Sequence, residues 1–269
     1  RHPERYTLLE QLLTTQSLDR AQVLARQQQD LAAILAHATV RVPYYREKYR
    51  QLPLSAATIA ELPPLRKDEV IAHKDALLAD DADRSSLRIG YTGGSTGTPV
   101  AFYYDRHKME LMRAGMCRSY MGSGWRPGEK ILNFWGARQD IKTGGFAKQM
   151  DDYFAAERTI GAYEYTQADL ARWGAEIRHY RPVLLQGYAS ILAELASHVL
   201  DSTLRLPTTL KGVYSTAEVL HDWQRARMES AFGCKVFNQY GSREIPNIAV
   251  ECAHGNMHVF TDMVYLESI

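Results

Sequence analysis

Pro182-Val183-Leu184-Leu185-Gln186-Gly187-Tyr188-Ala189-Ser190 carries the pattern on which the fold turns. Pro182 cannot continue the helix before it, and the apolar run Val183 to Leu185 reads as a strand. The preceding helix, through Tyr180, opens at Thr166 with Asp169 three residues on, the spacing of a capping box. Downstream, Ile191 to Leu200 reads as a helix and Leu210 to Tyr214 as a strand. Trp223 to Phe232 reads as a helix with Gly233 as its C-cap, and Lys235 to Phe237 as another strand. Upstream, Lys130 to Trp135 is one more apolar, strand-like run. Strand and helix therefore alternate from about residue 130 to 240, which predicts an α/β fold: a parallel sheet with helices on its faces.

The N-terminal region has a different character. Its first 50 residues read as helical, with Ser17 placed to cap a helix whose apolar positions are Val23, Leu24, Leu31, Ile34, Leu35 and Ala38. Pro43 is expected to end it. Residues 52–65 hold Pro53, Pro63 and Pro64 and read as a connector. From residue 87 the pattern changes to a strand over 87–91, a glycine-rich loop and a strand over 100–104. Asp105 is then placed to cap a helix bearing Met109, Met112, Met116 and Tyr120. The expected organisation is a helical segment, residues 1–86, packed on a main domain of residues 87–269. The end of the chain, residues 257–269, is expected to form strands.

Of 269 residues, 45% are hydrophobic and 10% aromatic, enough for a packed core and against disorder. Lys plus Arg number 32 and Asp plus Glu 31, a net charge of +1, which leaves no bulk charge to attract nucleic acid or a membrane surface. No apolar run has the length of a membrane helix, and the polar start Arg1-His2-Pro3-Glu4 lacks the apolar stretch of a signal peptide. Cys117, Cys234 and Cys252 form no disulfide framework, so a reducing, cytoplasmic setting is expected.

Thr92-Gly93-Gly94-Ser95-Thr96-Gly97-Thr98-Pro99 combines backbone freedom with hydroxyl donors, a composition suited to phosphate oxygens and also to an ordinary turn. It lacks the ending of a Walker A loop and the spacing of the dinucleotide fingerprint. Two further segments follow strands: Ser215-Thr216-Ala217-Glu218, and Asn238-Gln239-Tyr240-Gly241-Ser242-Arg243-Glu244. Ligands of open α/β sheets sit beyond the carboxyl ends of strands, where both segments fall. Tyr240 could stack on a base and Glu244 could reach a hydrated Mg²⁺, although for Glu244 alone a helix-start acid or a solvated loop carboxylate is the favoured reading.

Together and in this order, the three segments resemble the adenylate-forming superfamily of acyl-CoA ligases. The loop at residues 92–99 looks like its phosphate-binding motif, Ala217-Glu218 like its adenine-side motif, and Tyr240 to Glu244 like its Tyr-Gly-x-Thr-Glu motif. The narrower likeness is to the phenylacetate–CoA ligase group and its capsule-biosynthesis type branch. It is carried by Arg181 to Ser190, Phe232 to Val236, and Ala249 to Cys252 followed by Gly255 and His258. Two positions depart from the pattern: Thr98 stands where the superfamily loop often has Lys, and Arg243 where Thr is usual. Arg243 could stand in for that Lys, bind an acidic substrate, or pair structurally with Glu244.

The resemblance implies the adenylate-forming N-terminal domain, without the later Asp and the small C-terminal domain that carries a catalytic Lys. It implies ATP, Mg²⁺ and coenzyme A, and two half-reactions: acyl-adenylate formation from a carboxylic acid, aryl by preference, then transfer to a thiol. Amide formation, carrier-protein loading and non-catalytic nucleotide binding are the alternatives. Thr96 and Glu244 would be catalytic, with Glu244 on Mg²⁺. Thr92, Gly93 to Thr98, Ser215 to Glu218 and Asn238 to Arg243 would bind ATP or AMP. Phe134, Trp135, Gly136, Gly187 and Tyr188 would line the acid pocket, unless these aromatics are core. Cys252 and His258 would supply two of the four ligands of a structural Zn²⁺, or be a small buried Cys and a loop His. A homodimer is compatible with the family.

Overall fold

The computed structural model describes residues 2–51, 56–92, 99–137 and 156–267. They divide into two compact units, residues 1–115 with 243–246 and 260–269, and residues 116–242 with 247–259.

The first unit begins with helices α1 (Pro3–Thr15), α2 (Arg20–Arg41) and α3 (Pro43–Lys48). A 3₁₀ turn (Ala56–Glu61) and α4 (Lys67–Ala72) follow. The antiparallel hairpin β1 (Arg88–Tyr91) and β2 (Ala101–Tyr104) leads to α5 (Arg106–Met121). Asp19, not Ser17, caps α2: its side chain accepts from Gln22 N at 2.9 Å, and Gln22 Oε1 accepts from Asp19 N at 3.0 Å. Because α1 runs to Thr15, Ser17 lies in the turn, where its hydroxyl donates to Thr14 O at 2.8 Å. The stripe read on α2 is also not a core face, for Leu31 is buried while Leu24 and Ile34 are exposed. Pro43 both ends α2 and opens α3 at N1, where its missing N–H goes unmissed. Leu8, Leu9 and Leu12 bury the inner face of α1, and Arg5 Nε reaches the buried Glu110 carboxylate of α5 at 2.9 Å.

The second unit is built on β3 (Ile131–Trp135), β4 (Glu157–Gly161), α6 (Gln167–Tyr180), β5 (Leu184–Tyr188), α7 (Ala189–Asp201), β6 (Gly212–Thr216), α8 (Asp222–Phe232) and β7 (Val236–Tyr240). β8 (Ala249–Glu251) and β9 (Met257–Val259) complete a seven-stranded sheet of order β4-β3-β5-β6-β7-β8-β9. The first five strands pair in parallel and the last two antiparallel. The parallel run, 2-1-3-4-5 in order of appearance, is one of the two common doubly wound orders. β4 escapes the apolar pattern because it is an edge strand with a partner on one side only and polar residues Glu157, Arg158 and Thr159. The strands expected over 257–269 reduce to β9, with residues 260–267 in turns and irregular backbone.

Alternation along the strands sets the two faces of the sheet. Leu132, Phe134, Leu185, Val213 and Val236 join Leu170, Trp173 and Ile177 of α6, Leu192 and Leu195 of α7, and Met228 and Phe232 of α8 in one core. Asn133, Gln186, Tyr214 and Gln239 alternate with these residues onto the other face. There Tyr214 donates to Ser119 O at 2.6 Å, and Tyr120 donates to Gln186 Oε1 at 2.5 Å. Gln186 Nε2 donates to Gln239 Oε1 at 3.2 Å, and Gln239 Nε2 to Asn247 Oδ1 at 3.4 Å. This chain meets the hydrogen-bonding need of buried amides that would otherwise oppose folding.

Candidate functional site

In the second unit, chain order reverses between β3 and β5. β3 is followed by its edge neighbour β4, whereas β5 leads through α7 to β6 on the other side. This is the topological switch point, and ligands of open sheets collect beyond the carboxyl ends of the strands there. The residues at those ends are Trp135 and Gly136 on β3 and Tyr188 on β5. The Trp135 and Tyr188 rings meet edge to face, 5.4 Å between centroids. A Cβ on Gly136 would come 3.3 Å from Ile191 Cδ1 and 3.5 Å from Tyr188 Cζ, so glycine lets these groups converge. Phe134 is placed differently: it is fully buried, with its ring 5.4 Å from that of Trp173 in the core. Gly187 is buried too, and a Cβ there would meet Phe134 O at 2.6 Å.

The neighbouring strand β6 delivers Ser215, Thr216, Ala217 and Glu218. Ala217 has φ +69°, a left-handed conformation that costs a residue with a Cβ about 1–2 kcal/mol. Its turn leads into Glu218, whose carboxylate accepts from Ser190 N at 2.8 Å in the first turn of α7, where an anion is favoured. Ser215 is wholly buried beside Gly187 and Asn238, and its hydroxyl has no hydrogen-bond partner among the described residues. An orphaned hydroxyl next to a strained turn suits a site completed by a polar ligand. On β7, Asn238 N donates to Glu251 Oε2 at 3.0 Å, Gln239 is tied into the buried amide chain, and Tyr240 is 58% exposed. Of these, only Tyr240 offers an accessible ring.

The first unit holds the remaining candidates. Thr92 closes the base of the β1–β2 hairpin: Thr92 N donates to Val100 O at 2.9 Å and Val100 N to Thr92 Oγ1 at 2.9 Å. Arg243 Nη1 donates to Tyr91 O at 3.0 Å, tying the segment before Glu244 to the same end of the hairpin. Glu244 is half-buried and sits within electrostatic reach of Lys108, a residue the sequence reading passed over. Desolvation lowers the Lys108 ammonium's pKa, while Glu244 and then Asp105 act to raise it. The signal in the sequence was Arg106-His107-Lys108, three basic residues in the first turn of a helix whose dipole favours acids there. Gly93, Gly94, Ser95, Thr96, Gly97 and Thr98 lie outside the described residues.

Each unit by itself holds donors of one kind: the first has a hard oxygen at Glu244 and cations at Arg243 and Lys108, which suit magnesium and phosphate, and the second has the buried Ser215 hydroxyl and the exposed Tyr240 ring. Among the described residues no group of three or more His, Cys, Asp or Glu side chains is arranged to hold a metal ion, so Cys252 and His258 gain no third ligand there. They sit on the β8–β9 hairpin, where His258 pairs with Val250. The His254 N–H, 3.4 Å from Cys252 Sγ, is the leading cause that lowers the thiol's pKa. By contrast, burial pushes Cys234 up to about 12, the behaviour of a core thiol.

No family model matches the chain. It is 26% identical over 208 residues to Protein CapK of Staphylococcus aureus, covering 77% of this chain and 46% of that protein. To the phenylacetate-coenzyme A ligase of Escherichia coli (strain K12) it is 26% identical over 255 residues, covering 89% and 56%. Among solved structures, 2-hydroxyisobutyryl-CoA ligase in complex with 2-HIB-AMP and CoA superposes with a TM-score of 0.69 at 20% identity, over 91% of this chain and 55% of that one. The α/β core with its mostly parallel sheet shares its fold with that CoA ligase. The curated relatives it resembles are thus CapK and phenylacetate-coenzyme A ligases, and the chain spans about half the length of those it matches. No helix among the described residues is long and apolar enough to cross a membrane.

Proposed function

We propose that the protein activates a carboxylic acid with ATP. A carboxylate oxygen attacks the α-phosphorus, the bond to the bridging oxygen breaks, and acyl-adenylate and pyrophosphate form. A thiol, coenzyme A by preference, then attacks the acyl carbon and AMP leaves. Positioning and charge neutralisation dominate such chemistry. In this reading Thr92 and the segment Gly93 to Thr98 hold the phosphates, with Thr96 at the reacting centre. Glu244 holds Mg²⁺, which neutralises phosphate charge when bound. Ser215 to Glu218 frame the adenine with Asn238 and Gln239, Tyr240 offers its exposed ring to the base, and Gly241 to Arg243 lead to the metal-side carboxylate. Trp135, Gly136 and Tyr188 receive the acid, and their aromatic walls favour a flat, aryl one. Phe134 and Gly187 support that wall from the core.

The observation that carries this reading is the meeting of Trp135, Gly136 and Tyr188 at the switch point, beside a strained Ala217 and an unpartnered Ser215 hydroxyl. The test is ATP–pyrophosphate exchange by the full-length protein against a panel of aryl and aliphatic acids, followed by release of AMP on adding coenzyme A. Acid-dependent exchange is expected, strongest with aryl acids. Exchange absent with every acid, in a protein that still binds MgATP, would overturn the catalytic reading.

A further inference from the structure

The first turn of α5 places three basic side chains where the helix dipole is least hospitable to positive charge. Two are compensated by Glu4 of α1: His107 Nδ1 lies 2.9 Å from one carboxylate oxygen and Arg106 Nε 3.8 Å from the other. Lys108 is not. Its backbone N–H caps onto Asp105 Oδ1 at 2.7 Å, but its ammonium makes no ion pair or hydrogen bond among the described residues. It is half-buried, with Nζ 5.0 Å from the centre of the Phe102 ring. That ring is itself pressed onto Gly90, where a Cβ would lie 2.5 Å from Phe102 Cζ. The stack Gly90–Phe102–Lys108 thus fixes the ammonium against the β1–β2 hairpin, whose far strand ends at the carbonyl held by Arg243.

Glu244 faces the same problem with opposite sign. It too is half-buried and has no ion-pair partner within 4.0 Å among the described residues, although Lys108 is close enough for each to feel the other's charge. Two opposite, partly desolvated charges near each other would gain by closing into a salt bridge. Kept apart, the half-buried ammonium over the Phe102 ring has no bonded anion among the described residues to offset the cost of its burial. A site that takes an anion together with a divalent cation removes that cost, because the ammonium receives phosphate oxygens and the carboxylate receives the metal. Departures from locally optimal sequence choices concentrate where function requires them.

We propose that Lys108 is a polyphosphate-binding residue, its ammonium held apart from the Glu244 carboxylate so that the two engage the phosphate oxygens and the magnesium of the same ligand. This rests on the adenylation reading and names a residue for it that the sequence motifs omit.

The test compares the full-length protein with K108M and K108R by calorimetric titration of magnesium pyrophosphate and, separately, of AMP. K108M is expected to lose roughly ten- to a hundredfold in pyrophosphate affinity, the scale of one hydrogen bond to a charged group, with AMP affinity within about twofold. K108R, which keeps the charge, is expected to recover most of it. Unchanged pyrophosphate affinity in K108M, or equal losses for both ligands, overturns the role of Lys108 while leaving nucleotide binding intact. If the unsubstituted protein binds neither AMP nor pyrophosphate, the nucleotide reading fails and the proposal falls with it. Should K108M not fold, K108Q read against K108R on the same two ligands makes the same comparison.

Discussion

Ala217 offers a direct measurement of strain at the candidate site. Its φ of +69° belongs to the left-handed region, and the residue is solvent-exposed, so packing contributes little to its energy. Holding an L-residue there costs about 1–2 kcal/mol, which glycine would not incur. Glycine also gains more freedom on unfolding, worth about 0.5–1 kcal/mol against it. The difference predicts that A217G stabilises the protein by up to about 1.5 kcal/mol. A217V, with a branched Cβ in the same conformation, should lose at least ~1 kcal/mol. Urea unfolding monitored by circular dichroism measures both, and an unchanged denaturant slope shows that the unfolded state is not responsible. AMP binding should survive in A217G and weaken in A217V, since the turn sets both the adenine-side backbone and the Glu218 bond to Ser190 N. If A217G loses more than ~1 kcal/mol, or A217V is neutral, the strain inferred at this turn does not exist.

Two other substitutions test separate parts of the structure. In G187A the new Cβ would face Phe134 O at 2.6 Å and Phe134 Cβ at 3.1 Å, and a backbone oxygen cannot turn aside, so β3 and β5 must part. Overpacking of this kind costs about 1–3 kcal/mol and should lower the melting temperature by roughly 3–10 °C, while an unchanged melting temperature would refute the close approach. In the first unit Glu69 accepts from Lys48 Nζ at 2.7 Å, Tyr44 OH at 2.5 Å and Arg66 N at 2.8 Å, in that order of effect, holding its carboxyl at about 2 against an ordinary 4.5. A depressed folded pKa gives stability that is present above the ordinary value and lost as pH falls from 4.5 toward 2. E69Q should therefore flatten the acid limb of the stability profile in that window, and identical limbs in both proteins would count against the network.

The parallel core was legible in the sequence because its strands are short apolar runs between punctuating residues. Pro182, the Thr166–Asp169 box and Gly233 with φ +65° all mark element ends where expected. Two strands were not legible: β4, at the sheet edge, is polar because half its surface meets water, and three-residue β8 carries too little pattern to stand out. The cap of α2 was misassigned because both Ser17 and Asp19 can cap, and only the observed end of α1 decides between them. At the candidate site, motif reading named Ala217, Glu218, Tyr240 and Glu244 and treated Phe134 and Trp135 at the end of β3 as one group. Alternation separates them, sending Phe134 into the core and leaving Trp135 at the strand end. Lys108 was invisible to motif reading because its meaning lies in the Glu4 carboxylate of α1, the Phe102 ring of β2 and the carboxylate at residue 244.

The reversal of chain order is what places the proposed acid site at the carboxyl ends of β3 and β5. β3 is followed in sequence by β4 on one side of it and β5 by β6 on the other, so the carboxyl ends of β3 and β5 flank the crevice at the switch point. Whatever follows these strands forms the walls of that crevice. The chain supplies a glycine after β3 and an aromatic ring at the end of β5, with Ile191 behind it. Even a single added methyl at residue 136 would press on Ile191 at 3.3 Å and on the Tyr188 ring at 3.5 Å. The glycine therefore adds no room beyond what convergence requires, and any selectivity exercised there falls on the edge-to-face pair Trp135 and Tyr188. A planar acid can extend such an aromatic pair, because each ring has a face or edge to offer, whereas a branched aliphatic acid has no quadrupole with which to answer it.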